Sequence, residues 1–200
     1  MDYNKKTLTI LKKTGAIITD DHFVYTSGKH GSVYIRKDKL YPHTSLISQV
    51  CKMIAETAKD WNIEVVVGPS IGGIILSQWT AYHLSKITKK EVLSVFTEKS
   101  YDDMQAFDRP QLFKRGYDAL VQGKRVLVVE DLTTTGASVK KVVEQARSAG
   151  GKIVGVYVLL NRNPEGVDAA FMEAPFHALS VFKAQATMQK IVRFAKKEYQ

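Results

Sequence analysis

Apolar runs alternate along the chain with stretches of helical spacing. Residues 4 to 14 set Leu8, Ile10 and Leu11 among lysines, which predicts a surface helix ending at Gly15. HFVYTSGKHGSVYIR reads as two short strands joined at Ser27-Gly28. SLISQVCKMIAETAKDW carries Leu46, Ile47, Val50, Met53, Ile54 and Ala58 on one helical face. IEVVVGPS is a continuous apolar run, the form a parallel strand takes when both of its faces are covered. GGIILSQWTAYHLSK follows as a helix, EVLSVFTEK as a strand, and residues 100 to 116 as a polar segment with little periodicity. KRVLVVED is a strand, TGASVKKVVEQARSAGG a helix closed by Gly150-Gly151, and KIVGVYVLLNR another strand. Beyond Arg162 the pattern weakens to a short strand at HALSVF and a terminal helix at TMQKIVRFAKKE. Strand and helix in alternation predict an α/β fold with a parallel sheet and right-handed crossovers.

In such sheets ligands bind beyond the carboxyl ends of the strands. Three segments fall there: GPSIGG, EDLTTTGAS and NRNPEG. EDLTTTGAS is the most informative. A strand that feeds a turn of small residues and opens a helix presents backbone N–H groups and the positive end of the helix dipole, which suits a phosphate. Thr133, Thr134, Thr135 and Ser138 add hydroxyls, and Gly136 lets the backbone approach closely. The lysine of a Walker A loop is missing. Glu130 and Asp131 would repel phosphates but accept hydrogen bonds from vicinal sugar hydroxyls, and they suit Mg²⁺ as oxygen ligands. A sugar with a phosphate at its far end, a ribose 5-phosphate, satisfies both halves. A bare E-D pair would read only as an acidic helix start with threonine caps; the whole nine-residue pattern on a strand-to-helix turn reads as a site.

Composition narrows the class without naming it. Two hundred residues with 44% hydrophobic and 24% charged content suit one domain, with room for a small subdomain. No apolar run is long enough to span a bilayer, MDYNKKTLTILKK lacks a signal-peptide core, and the single Cys51 points to a reducing compartment, so cytoplasm is expected. The net charge of +9 suits an anionic partner, but the lysines are dispersed and no nucleic-acid signature accompanies them. His22, His43, His83 and His177 lack metal-ligand spacing.

EDLTTTGAS resembles the phosphoribosyl-diphosphate signature of the type I phosphoribosyltransferases: an apolar strand, two acids, two variable positions, then T-T-G and small residues. The surroundings are similar to those of the orotate phosphoribosyltransferases. GAIITDDHFVYTSGKHGSVYI resembles their hood segment, VVVGPSIGGIILS their diphosphate loop and VLLNRNPEG their orotate-side loop. The resemblance covers roughly residues 10 to 165. It implies a central parallel sheet flanked by helices with a small hood, divided as hood at 1–40, core at 41–162, and a C-terminal strand and helix at 163–200 returning to both.

The implied reaction displaces diphosphate from 5-phosphoribosyl 1-diphosphate by a base nitrogen, giving orotidine 5′-monophosphate in pyrimidine synthesis. Positive charge on the ribose and growing negative charge on diphosphate call for Mg²⁺ and nearby cations, with no covalent nucleophile. Mg²⁺ is expected to be held mainly by the substrate, with Glu130 and Asp131 as its side-chain candidates. By resemblance Glu130 and Asp131 bind the ribose hydroxyls, and Asp131 and Lys99 are the catalytic candidates. The phosphoribosyl diphosphate site continues through Leu132, Thr133, Thr134, Thr135, Gly136, Ala137 and Ser138. Ser70, Ile71 and Gly72, within Gly68 to Gly73, hold diphosphate through backbone donors, with a strained or cis peptide expected near Ser70–Ile71.

TEKSYDDMQAFDRPQLFKRGYD matches a mobile loop that closes over diphosphate, with Lys114 and Arg115 as further cations beside Lys99. Arg162, helped by Thr134, meets the orotate carboxylate, which its guanidinium fork fits. The hood turn from Ser27 to Ser32, with Tyr34 and Ile35, covers the base. Many relatives carry Lys just before the hood Ser-Gly; here Thr26 stands there, and Lys29 and His30 are the substitutes. A homodimer is implied, and neither membrane nor nucleic acid is expected as a partner. Another base, purine or xanthine, and a non-catalytic phosphoribosyl-diphosphate sensor remain alternatives.

Overall fold

The computed structural model describes residues 2–24, 30–100 and 110–181. Helix α1 (Tyr3–Lys13) opens the chain, with Asp2 capping it by accepting from the Lys5 N–H. Strands β1 (Ile17–Val24) and β2 (His30–Ile35) form a two-stranded antiparallel sheet. Helix α2 (Thr44–Ala58), strand β3 (Val65–Pro69), helix α3 (Gly72–Thr88) and strand β4 (Leu93–Lys99) follow. Then come β5 (Gln111–Phe113), α4 (Tyr117–Val121), β6 (Arg125–Thr133), α5 (Ala137–Ser148), β7 (Lys152–Asn161), α6 (Ala169–Met172) and β8 (Phe176–Val181).

The main sheet runs in the order β5-β4-β3-β6-β7-β8. From β4 to β8 every pairing is parallel, as the alternating pattern predicts, while β5 runs antiparallel to β4. This edge strand corrects the reading of residues 100 to 116 as merely polar. Three residues are too few to show a period, and β5 is fixed instead by β4: the Thr97 hydroxyl donates to the buried Gln111 side chain at 2.8 Å. The terminal helix expected at TMQKIVRFAKKE and the turn at Ser27-Gly28 lie outside the described residues. No helix of the described residues is long and apolar enough to cross a membrane.

Alternation along the strands splits the core into two layers. Val66, Leu127 and Val129 face one layer, where α1, α2 and α3 contribute Leu11, Met53, Ile54, Leu76 and Leu84. Val65, Val67, Val126 and Val128 face the other, against Val139, Val142, Val143 and Ala146 of α5. Burying one such side chain contributes about 1.5–3 kcal/mol. Within the stretch 1–40 read as hood, α1 buries Ile10 and Leu11 in the first of these layers. It is further tied to the core by Tyr3, whose hydroxyl donates to Glu56 at 3.0 Å. Strands β1 and β2 form their own sheet, with Ile35 of β2 buried in the same layer as α1.

Candidate active site

Strand β6 delivers two acids to the carboxyl edge of the sheet. Successive residues of a strand leave on opposite faces. Asp131 therefore shares the face of Val129, and Glu130 the face of Val128. Asp131 is only 2% exposed, yet both of its oxygens are engaged. Oδ1 accepts from the Lys37 ammonium at 2.9 Å, and Oδ2 accepts from the Tyr41 hydroxyl in a short hydrogen bond. Burial is the largest single influence and works against the charge on Lys37, but Asp131, with Glu130 and Asp38 behind it, outweighs burial and raises the lysine. Burial, and then Asp131, pushes the Tyr41 hydroxyl well above the usual phenol range, so it remains the donor.

Glu130 is buried as well, and its Oε1 accepts from the Asp131 N–H at 2.9 Å. Burial first, and the neighbouring Asp131 charge second, push the Glu130 carboxyl up to about 8, with the Asp131 N–H and Lys37 pulling the other way. The two acids are thus electrostatically distinct: Glu130 is buried without an ion-pair partner of its own among the described residues, while Asp131 is neutralised by an ammonium.

Beyond the acids the chain turns into α5 with Gly136 at φ +77, a conformation that favours glycine. Gly136 has no side chain to cap the helix, and the Thr135 hydroxyl accepts only a long 3.4 Å hydrogen bond from the Ala137 N–H; Thr134, Thr135 and Ser138 at the helix start are exposed. Phe171 backs the turn: a Cβ on Gly136 would meet its ring at 2.5 Å. Lys140 fixes this wall by donating to the Phe171 carbonyl at 2.8 Å and to Glu173 at 2.6 Å. The turn is therefore shaped like an anion cradle with a braced floor.

The turn after β3 is built of bare backbone. A Cβ on Gly68 would overlap the Gly73 carbonyl, and one on Gly73 would come within 2.8 Å of the Gly68 carbonyl carbon. The Ser70 N–H donates to the Thr97 carbonyl at 2.8 Å, anchoring the turn to β4. The Ser70–Ile71 peptide is cis, where the sequence led one to expect it, and Ile71 is 78% exposed. Gly72 meets the first turn directly, since a Cβ there would overlap the Asp131 carboxylate and the Tyr41 hydroxyl.

The third segment closes on the same edge. The Arg162 N–H donates to the Thr133 carbonyl at 2.9 Å, which sets the half-buried arginine beside Thr134. The buried Asn161 shapes its loop, donating to the Val167 carbonyl at 3.0 Å and accepting from the Asn163 N–H at 2.9 Å. Lys99 is exposed at the end of β4, opposite Gln111. Arg115 ion-pairs with Glu98 and lies 5.5 Å over the Phe96 ring, while Lys114 also has a partner. In the hood hairpin Tyr34 stacks on Phe23 at 5.2 Å and His30 meets His22 at 2.8 Å, while Ile35 is buried in the core. Thr26, Lys29 and residues 101–109 of the expected mobile loop lie outside the described residues.

The geometry thus brings together Gly72, Asp131, Thr133, Thr134 and Arg162 from the expected set. It adds two residues that the sequence pattern does not single out, Lys37 and Tyr41. They sit in RKDKLYPH, between a strand and a helix, where no period marks them. A buried carboxylate demands donors, but nothing local in the sequence ties that demand to a connector 94 and 90 residues away in number. Among the described residues no group of three or more His, Cys, Asp or Glu side chains is placed to hold a metal ion. Asp131, the acid that faces Gly72 and the connector, could give a hard cation one oxygen, the rest coming from substrate and water.

A family model described as phosphoribosyl transferase domain matches residues 37–196. The chain is 35% identical over 164 residues to the orotate phosphoribosyltransferase of Caldanaerobacter subterraneus, covering 82% of this chain and 78% of that protein. It is 35% identical over 170 residues to that of Thermotoga maritima, covering 85% and 81%. Among solved structures it resembles the Mycobacterium tuberculosis orotate phosphoribosyltransferase bound to 5-phospho-alpha-D-ribosyl 1-diphosphate, with TM-score 0.63, 19% identity, and 90% and 96% of the two chains covered. The adenine phosphoribosyltransferase of Thermoanaerobacter pseudethanolicus shares the fold, with TM-score 0.62, 14% identity, and 86% and 99% covered. With the family model matching most of its length and relatives more than 30% identical over about four fifths of it, the chain belongs to the phosphoribosyltransferase family, among the orotate phosphoribosyltransferases.

Proposed function

We propose that the chain transfers the 5-phosphoribosyl group from 5-phosphoribosyl 1-diphosphate to orotate, releasing diphosphate and orotidine 5′-monophosphate. The carrying observation is one carboxylate, Asp131, that touches both the diphosphate-type turn at Gly72 and the hood connector, on the strand that continues into the phosphate cradle. In this reading Glu130 and Asp131 accept from the ribose hydroxyls, and the α5 start with Thr134, Thr135 and Ser138 binds the 5′-phosphate. The N–H groups of Ile71 and Gly72, beyond the Ser70 N–H that anchors the turn, receive the leaving diphosphate, and Lys99 adds charge at its rim. Holding sugar, phosphate and leaving group on three adjacent strand ends fixes C1 for in-line displacement, which is where positioning lowers the barrier. Diphosphate departs with growing negative charge, so preorganised donors act most strongly in the transition state. Mg²⁺, when bound by the substrate and an acid of the pair, neutralises part of that charge. Arg162 provides the guanidinium for the orotate carboxylate beside Thr134.

The test is turnover with orotate, phosphoribosyl diphosphate and Mg²⁺, set against a panel of uracil, hypoxanthine and xanthine. Orotate is expected to be the preferred base, and Arg162→Ala should raise the orotate KM at least about tenfold. Folded protein that binds phosphoribosyl diphosphate but turns over no base would leave a sensor instead. The proposal includes a homodimer, checked by sedimentation velocity at micromolar protein.

A further inference from the structure

We propose that Lys37 is a further cation, beside Lys99, that this chain brings to the diphosphate end of its substrate, with Tyr41 as the residue that keeps Asp131 positioned when Lys37 turns to the anion. The inference rests on the phosphoribosyl-transfer reading above. The ammonium lies 2.9 Å from Asp131 Oδ1, and the other oxygen of the same carboxylate lies against Gly72 of the diphosphate-type turn. Lys37 thus stands at the junction of the two turns, one carboxylate away from the backbone that would receive the leaving group. Neither GPSIGG nor EDLTTTGAS contains a basic side chain, so both turns present dipoles and hydroxyls but no full positive charge. A departing diphosphate needs charge as well as dipoles.

Three features argue against a purely structural ion pair. The Lys37 side chain is 43% exposed although its partner is 2% exposed, so the pair opens toward solvent from the lysine side. The ammonium has three donors, and Asp131 is its one hydrogen-bond partner among the described residues. Its four-carbon stem can re-aim by a few ångströms with the backbone fixed. Asp131, for its part, does not depend on Lys37 alone, because Tyr41 holds the second oxygen. Ribose hydroxyls arriving at Asp131 donate to the oxygen that Lys37 occupies. The ammonium then has a new acceptor at hand in the diphosphate oxygens, and its charge passes from neutralising the free enzyme to neutralising the substrate. Tyr41 keeps the carboxylate in the same place through that exchange.

Three probes separate this from the alternatives in the full-length chain: ribose 5-phosphate, inorganic diphosphate with Mg²⁺, and phosphoribosyl diphosphate, each titrated calorimetrically. Lys37→Gln retains a donor for Asp131 and removes the charge. It is expected to weaken inorganic diphosphate and phosphoribosyl diphosphate at least tenfold while leaving ribose 5-phosphate within twofold, and Lys37→Arg should recover most of the loss. Tyr41→Phe acts through Asp131 and should weaken ribose 5-phosphate and phosphoribosyl diphosphate alike. The orotate KM should stay within twofold of wild type in Lys37→Gln. The proposal is overturned if Lys37→Gln weakens ribose 5-phosphate as much as diphosphate, if it leaves diphosphate unchanged, or if it tightens phosphoribosyl diphosphate, which would make Lys37 a mask on Asp131. Circular dichroism melting of each variant excludes misfolding as the cause. Wild type that binds phosphoribosyl diphosphate without converting orotate defeats the base assignment but leaves the Lys37 comparison intact. Wild type that binds none of the three probes defeats the underlying reading itself.

Discussion

Between Gly68 and Gly73 the backbone approaches itself so closely that a single Cβ would strike a carbonyl, whereas from Glu130 to Ser138 the chain displays two acids and four hydroxyls. Both turns link a parallel strand to a helix at the same edge of the sheet, on the adjacent strands β3 and β6. The first makes its binding surface by leaving side chains out, so that N–H groups are uncovered and Gly72 fits under Asp131. The second makes its surface with side chains standing on a braced floor. They should therefore fail in opposite ways, one on addition and the other on removal.

The largest effect is expected from the smallest addition to the first turn. In Gly68→Ala the new methyl group meets backbone rather than a movable side chain. Overpacking of that kind costs about 3 kcal/mol, read as a lower urea midpoint. The displaced turn should cost about 100-fold or more in kcat/KM, because misplacement of about an ångström is enough for that. A variant with wild-type stability and activity would show that the turn can yield, and the contrast between the two turns would fall.

Asp131→Asn removes charge from the second turn while keeping volume. Lys37 loses its partner but is partly exposed, so the stability cost is held to about 1 kcal/mol. Turnover should drop about 100-fold, since an amide cannot supply the carboxylate's acceptors to two hydroxyls. If kcat/KM moved less than about threefold, Asp131 would be a structural acid and the sugar would have to be held elsewhere.

These two turns also differ in how far the sequence reveals them. EDLTTTGAS announces its chemistry through residue type, and its place at a strand end follows from the apolar run before it. GPSIGG announces only a turn; what makes it a site is the overlap of Gly72 with Asp131, a fact of packing between chain segments 59 residues apart in number, 72 to 131. The same holds for Lys37 and Tyr41, whose role depends on the register that brings a connector over β6. Strand β5 escaped because three residues carry no period and an antiparallel edge has no crossover helix to announce it. The longer alternating elements α2, β3, α3, β4, β6, α5 and β7, in contrast, are each long and apolar enough for pattern alone to place them, whereas the five-residue α4 is not. Residue chemistry and periodicity are local and legible; convergence between distant segments is not.

Glu130 gives the second turn a pH signature that the first cannot have. Its folded carboxyl is pushed up to about 8, by burial first and Asp131 second. An unfolded glutamate titrates near 4.3. Between those values the folded protein keeps a proton that the unfolded chain has lost. Stability from this group is therefore fully present below the lower value and declines as pH rises through about 8. Urea unfolding of the ligand-free protein should give a lower midpoint at higher pH across that window, by up to roughly 1 kcal/mol per pH unit. Glu130→Gln should flatten this slope. An unchanged slope in the variant would place the proton on another group.

The smallest effect is expected where removal touches a side chain that the backbone can replace. Thr135 is exposed, and its hydroxyl accepts only a long 3.4 Å hydrogen bond from the Ala137 N–H at the start of α5. Thr135→Ala frees that N–H for the 5′-phosphate while removing one hydroxyl donor. These opposing changes should leave stability within about 0.5 kcal/mol and the KM for phosphoribosyl diphosphate within about threefold. The geometry of the cradle itself comes from Gly136 and the Phe171 floor, which the substitution leaves alone. A loss approaching that of Gly68→Ala would mean that the phosphate is held by hydroxyls rather than by the helix start. The second turn would then be a side-chain site throughout, and the backbone would be the working surface only at Gly68 to Gly73.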